Sequence, residues 1–282
     1  MLLSWLLLQS SALTGTFKSP RVTESSGVVV SRGHAGTLWT HNDSGDGPYL
    51  YATDSSGNDY GAIRVSGAEA TDWEDMASGP CPAGRAGATC LYIADTGDNL
   101  EQRKSVTIYA VPEPEPSRTA ADTQRVTAAA RALRLRYPDG SHDVEAIYVS
   151  PRDTAVYLVS KGRGGSVALY RVARRTWSSE SVVTAERLQT LPIVPNRRLG
   201  RMVTGAAMRA DGAVVAIRTY VDVFFFQPGP EGRLVPSRRP VCSIAGVDRT
   251  GEAIAFRDDS TLTLTSEAST FGSGTIHTLR CP

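Results

Sequence analysis

Five oxygen-bearing side chains recur at matched places along the 282-residue chain: Ser26, Glu74, Glu145, Thr204 and Glu252, separated by 48, 71, 59 and 48 residues. Each follows an acidic or polar lead-in and precedes a small residue and an apolar run. Asp72-Trp73-Glu74-Asp75-Met76-Ala77 and Asp143-Val144-Glu145-Ala146-Ile147-Tyr148 are the fullest copies. Glu24-Ser25-Ser26-Gly27-Val28-Val29, Val203-Thr204-Gly205-Ala206-Ala207 and Thr250-Gly251-Glu252-Ala253-Ile254-Ala255 are weaker ones. Three carboxylates and two hydroxyls make a hard-oxygen donor set of the kind calcium takes, at roughly 6–8 oxygens per ion. Zinc is disfavoured, because no His or Cys belongs to the set. Brought to one point without a cation, the glutamates would repel one another, and one would have to keep its proton.

Those five residues need elements that deliver them to a common centre. Repetition on a scale of about 50 residues marks a propeller or a solenoid. Within each repeat, short apolar, β-branched and aromatic runs alternate with Gly/Asp/Ser turns, as in Thr37-Leu38-Trp39-Thr40, Tyr49-Leu50-Tyr51-Ala52 and Tyr60-Gly61-Ala62-Ile63. This is the pattern of a four-stranded antiparallel meander. The run Ala128-Ala129-Ala130-Arg131-Ala132-Leu133-Arg134-Leu135 reads as a short helix or an outer strand, and the strand is preferred because the other units place one there. The fifth unit ends one strand short after Thr275-Ile276-His277-Thr278-Leu279. Residues 12–17, which have no unit of their own, would complete it and close the ring, leaving no exposed sheet edge at the seam. The predicted fold is therefore all-β: one five-bladed β-propeller of four-stranded antiparallel blades over residues 13–282, closed by its N-terminal strand.

The order Ser, Glu, Glu, Ser/Thr, Glu, one per inner strand, resembles the central calcium ring of the five-bladed calcium-activated nucleotidases (apyrases). The resemblance lies in Glu24-Ser25-Ser26 before a valine run, in Glu74 before an apolar strand, and in Gly251-Glu252 before Ala253-Ile254. It implies a calcium ion held by Ser26, Glu74, Glu145, Thr204 and Glu252, and hydrolysis of a phosphoanhydride. The stretches Trp39-Thr40-His41-Asn42-Asp43-Ser44-Gly45-Asp46 and Asp72-Trp73-Glu74-Asp75 also look like uncharacterised secreted bacterial propellers, a resemblance that implies no activity.

In an up-and-down blade, the loop entering the inner strand and the loop between strands two and three lie on one face, because antiparallel neighbours reverse direction once per strand. The motif copies should share that rim with Asp43, Asp46, Asp95, Asp98, Lys161, Arg163 and Arg218. There Asp43 or Asp95 would activate water, His41 or His142 would assist as base or orienting group, and Arg218, Arg201 and Lys161 would hold an anionic substrate. The bland alternatives are turn-capping aspartates, exposed loop histidines and surface arginines. Residues 42–53 half-resemble an EF-hand, but Thr53 stands at the twelfth position where a bidentate Glu is required. The sequence has no HExxH, Walker, GxSxG or dinucleotide-binding motif.

A net charge of +1, with no basic stripe interleaved with aromatics, gives no footprint for nucleic acid. The four cysteines are expected to pair as Cys81 with Cys90, which bracket a Gly/Pro/Ala-rich turn, and Cys242 with Cys281, which points to an oxidising compartment. Residues 1–12 are apolar and end in small residues, as a weak or truncated export signal would, but lack a basic leader and could equally be a first strand. No stretch is long enough to span a membrane as a helix. The expectation is a secreted or extracytoplasmic monomer. It is either a calcium-dependent hydrolase of a phosphoanhydride, phosphoester or lactone, or a propeller with a structural calcium that recognises a protein or glycan.

Overall fold

The computed structural model describes residues 9–83, 87–117, 125–248, 250–270 and 272–282. Five small sheets are arranged around a central channel. Their inner strands, Ser25–Val30, Trp73–Pro80, Val144–Val149, Val203–Met208 and Gly251–Phe256, pack side by side in a closed circle. Each blade continues outward through antiparallel neighbours, for example Trp73–Pro80, Thr89–Asp95, Val106–Pro112 and Arg131–Arg136 in blade 2. The alanine-rich run is thus the outer strand expected, not a helix. Two short parallel strands, Arg125–Val126 and Val183–Thr184, extend blades 1 and 2, so these sheets exceed the simple four-stranded plan.

The fifth blade is completed by Ser10–Thr16, which pairs antiparallel with Thr275–Arg280 from Ser10 opposite Arg280 to Thr16 opposite Thr275. The predicted targeting segment, residues 1–12, falls for the most part on residues 1–8, which lie outside the described residues; Ser11 and Ala12 are paired in this strand. Among the described residues no helix is long and apolar enough to cross a membrane.

The blades hold together because the inner strands of each sheet are buried on both faces, which is why those strands read as continuous apolar runs. In Thr89–Asp95, Leu91 and Ile93 pack toward blade 1 with Trp39 and Trp73, whereas Tyr92 and Ala94 pack toward blade 3 with Ile147 and Tyr170. The same alternation produces an apolar cluster at each of the five junctions between neighbouring blades. Both expected disulfides are present: Cys81–Cys90 ties the far ends of the first two strands of blade 2, and Cys242–Cys281 joins blade 4 to blade 5 beside the seam.

The second bridge closes 39 residues of chain. Loop-closure entropy for that length is about 4 kcal/mol. Replacing Cys242 and Cys281 together by Ser should lower Tm by about 8 °C or more, whereas the nine-residue Cys81–Cys90 loop should matter less. Melting curves of the two double variants check the ranking.

Candidate functional site

The five predicted ring residues share one structural device. Each inner strand carries a β-bulge near its start, and the unpaired residue is Ser26, Glu145, Thr204 or Glu252, or in blade 2 the pair Glu74 and Asp75. An extra residue in one strand re-aims its side chain and ends regular pairing. Here it places all five ring residues at one end of the channel, each no more than 8% exposed.

Glu74 is the most exposed to electrostatic conflict. Its carboxylate is buried and makes no hydrogen bond or ion pair with any described residue. Its oxygens lie within 4.8 Å of carboxylate oxygens of Asp43 and Asp72 on one side, and of Asp143 and Glu145 on the other. Burial first, then Glu145 and Asp43, push its pKa well above the carboxylate range, with Lys161 opposing. Gly97 makes the crowding sterically feasible: a Cβ there would stand 2.1 Å from Glu74 Oε1. A buried, unpaired carboxylate of this kind is costly and calls for a cation or a proton.

The remaining ring members differ. Glu145 is paired with the ammonium of Lys161, which Glu145, Glu74 and Glu252 together hold above its usual pKa despite burial. Burial also raises Glu145, with Lys161 acting against it. Glu252 accepts a hydrogen bond from the Tyr220 hydroxyl at 3.0 Å, while its buried Oε2 has no partner; burial pushes its pKa up to about 7. The Thr204 hydroxyl donates to the Gly251 carbonyl at 3.3 Å, and the Ser26 hydroxyl bonds no described residue. Glu252 stands outside both carboxylate triads, so the acidic centre is displaced toward blades 2 and 3 rather than spread evenly over the ring.

Several predicted rim residues sit elsewhere than expected. Arg218 is fully buried: its guanidinium donates to the carbonyls of Ala253 at 2.7 Å and Thr265 at 3.1 Å and pairs with Asp248 at 2.7 Å. It reaches beneath the inner strand of blade 5, where a Cβ at Gly251 would lie 1.5 Å from it, so a substrate on the rim has no access to it. His41 is also interior, because the strand Leu38–Asn42 runs two residues past Thr40, where the apolar run was expected to give way to a loop. Its ring packs edge-on against Trp73 at 5.3 Å, Nδ1 lies 2.9 Å from the Asn42 carbonyl, and burial drops its pKa to about 4. A neutral, enclosed imidazole of this kind is a packing group. His142 lies between Tyr137 and Tyr170 with Nε2 3.1 Å from Asp139, Arg201 pairs with Asp222 at 2.9 Å, and Asp95 is taken up by Arg103 at 2.8 Å and by the amides of Thr71 and Asp72. Asp46 caps its turn through Asn42, Gly47 and Tyr51, the ordinary turn chemistry.

Asp43 and Lys161 remain at the centre, and Asp72 and Asp143 join them although the spacing argument gave them no role. The signal was present: in the two fullest copies an aspartate stands two residues ahead of the ring glutamate, so Asp-x-Glu builds an outer tier above the ring. Asp143 is neutralised in part by Arg163. Asp72 is raised to about 6 by burial, with Asp43 and Asp143 adding, and Glu267 to about 7, again chiefly by burial.

These shifts give a pH dependence with a definite sign. Carboxyls whose folded pKa is raised contribute stability that is complete below their unfolded values near 4 and is lost as pH climbs through 6–7. His41, lowered to about 4, and His277, also lowered by burial, act oppositely below pH 6.5, but these two are outweighed by Asp72, Glu252 and Glu267. The chelated protein should therefore melt several degrees higher at pH 5.5 than at 7.5. A cation must displace those protons, so its affinity should fall at least tenfold over the same descent, as calorimetry at the two pH values would measure.

No family model matches this chain, and none of the curated proteins matches it. Solved structures do. A structural-genomics protein of unknown function from Bacteroides thetaiotaomicron superposes with a TM-score of 0.51 at 9% identity, over 98% of this chain and 76% of that one. A glucose dehydrogenase superposes with a TM-score of 0.48 at 10% identity, over 97% of this chain and all of that one. At 9% identity the first of these likenesses is one of fold, and the five sheets of this chain make it a five-bladed β-propeller.

Proposed function

We propose that this chain is an exported calcium-binding propeller whose acidic channel mouth hydrolyses a small anionic substrate, a phosphoanhydride, phosphoester or lactone. The observation that carries the reading is Glu74, a buried carboxylate without a donor, drawn together with four other carboxylates. The potential ligand atoms gathered about it are all carboxylate oxygens, which favours calcium over a transition metal. Glu74 and Glu145, with Asp72 and the free Ser26 hydroxyl, would hold the ion, and Thr204 and Glu252 would complete the ring. Bound there, calcium supplies Lewis acidity and a template for a negatively charged substrate.

The chain's own groups divide the remaining work. Asp43 and Asp72 are only partly buried, so the ion would face solvent on their side. Burial first, and Asp143 with it, raise the Asp43 pKa, which suits a carboxylate that takes a proton from attacking water. Lys161, fixed by Glu145, meets the substrate's negative charge. The two disulfides fit an oxidising compartment.

The test is phosphate release from nucleoside diphosphates and, separately, lactone opening, each with calcium and with chelator. Chelator-sensitive turnover that falls about 10²–10⁴-fold in Asp43→Asn is the expected result. One observation favours a second reading: Lys161 already places a cation in the ring, and in that reading the site locks the blades around a ligand-binding rim without catalysis. A calcium-dependent Tm with no turnover of either substrate class would select it.

A further inference from the structure

The opposite end of the channel carries different chemistry. Asp75, the second residue of the blade 2 bulge, is fully buried, and its carboxylate accepts from the amides of Met76 at 2.8 Å, Ile147 at 2.9 Å and Ala206 at 3.1 Å. Those amides belong to blades 2, 3 and 4, and blade 4 is not adjacent to blade 2. The side chain therefore crosses the axis and divides the acidic mouth from what lies beneath.

Beneath it is a cavity of about 170 Å³ walled by Val28, Met76, Val149, Met208, Ile254 and Phe256. Arg32, Arg209 and Arg257 stand at its mouth with Asp258 and Asp259. The two aspartates and one arginine are occupied: Arg209 is held by Asp211 at 2.7 Å and lies 3.9 Å from Asp259, and Asp258 caps the turn through Ser260 and Thr261. The guanidinium groups of Arg32 and Arg257 make no hydrogen bond or ion pair with any described residue, although the Arg257 amide donates to the Thr261 carbonyl. Arg32 is solvent-exposed at this mouth, where partial burial of the guanidinium lowers its pKa and Glu113 works against that; Glu113 is itself engaged by Ser31 and Trp39.

We infer that this cavity binds an amphipathic monocarboxylate, with its tail among the inner-strand side chains and its carboxylate on Arg32. A dry apolar cavity of about 150 Å³ accommodates a benzene-sized group, so the tail is about six carbons long. A guanidinium fork matches a carboxylate bidentately. The neighbouring Asp258 and Asp259 would repel a dianion such as a phosphate monoester, which leaves a single negative charge as the match.

Hexanoate is the probe, with acetate and hexan-1-ol as controls that each remove one half of the match. Calorimetry is run in chelator, so that carboxylate binding to calcium does not contribute. Saturable hexanoate binding at least tenfold tighter than either control, reduced at least tenfold by Arg32→Gln, is expected. Met208→Trp, which fills the cavity, should abolish it, and the Arg32→Gln arm stands alone if that variant does not fold. Unsaturable binding, equal affinity for hexan-1-ol, or full affinity in folded Arg32→Gln would each overturn the inference.

Discussion

Millimolar calcium added to the chelated protein should raise Tm by about 5–10 °C, and Glu74→Gln should abolish that rise. An ion present at a hundred times its Kd stabilises the state it binds by about 2.7 kcal/mol, and a domain of this size gains about 2–4 °C per kcal/mol. The variant carries a second, opposite signature. In chelator it should melt above the natural protein, because an amide replaces a carboxylate that is buried without a donor and surrounded by four others. A crossing of the two melting series, with the natural protein lower without calcium and higher with it, is specific to a cation site. If calcium moves both proteins equally, or neither, Glu74 holds no ion.

Arg218→Ala should be the most damaging single substitution, lowering stability by about 3–5 kcal/mol, because it strands Asp248 as a buried, uncompensated charge. Two further acceptors depend on the guanidinium, the carbonyls of Ala253 and Thr265, and Gly251 leaves it the room to reach them. Arg218→Met with Asp248→Leu removes both charges and should recover much of the loss. Urea midpoints of the single and double variants measure the coupling. Were Arg218→Ala to fold normally and lose only turnover, the residue would belong to substrate binding after all.

That reversal for Arg218 illustrates how far the sequence could be read. The inner strands were legible because ring residue, small residue and apolar run recur in fixed order, and the seam was legible because the fifth unit lacks a strand that residues 12–17 could supply. The bulges were not, since an unpaired residue looks like any other until its partner strand is known, yet they are what aim Ser26, Glu74, Glu145, Thr204 and Glu252. Loop positions near the rim failed for a related reason. Topology says which end of a blade a residue occupies, not whether it faces solvent or the next blade: His41 and Arg218 stand at the predicted end but point into the interface. Asp72 and Asp143 have no place in a pattern of one ring residue per repeat, although an acidic residue stands two places ahead of the glutamate in both full copies.

The pairing of Ser10–Thr16 with Thr275–Arg280 has a consequence for biosynthesis. The strand Ser10–Thr16 finds its partner only after the more than 250 residues between the two have been translated. Until then blades 1 to 4 can stack in order of synthesis, but blade 5 has an open flank, and unpaired flanks of that kind recruit neighbouring chains. Docking this strand is then the late, slow event of maturation, and the Cys242–Cys281 bridge, formed beside it, fastens the circle once it has shut.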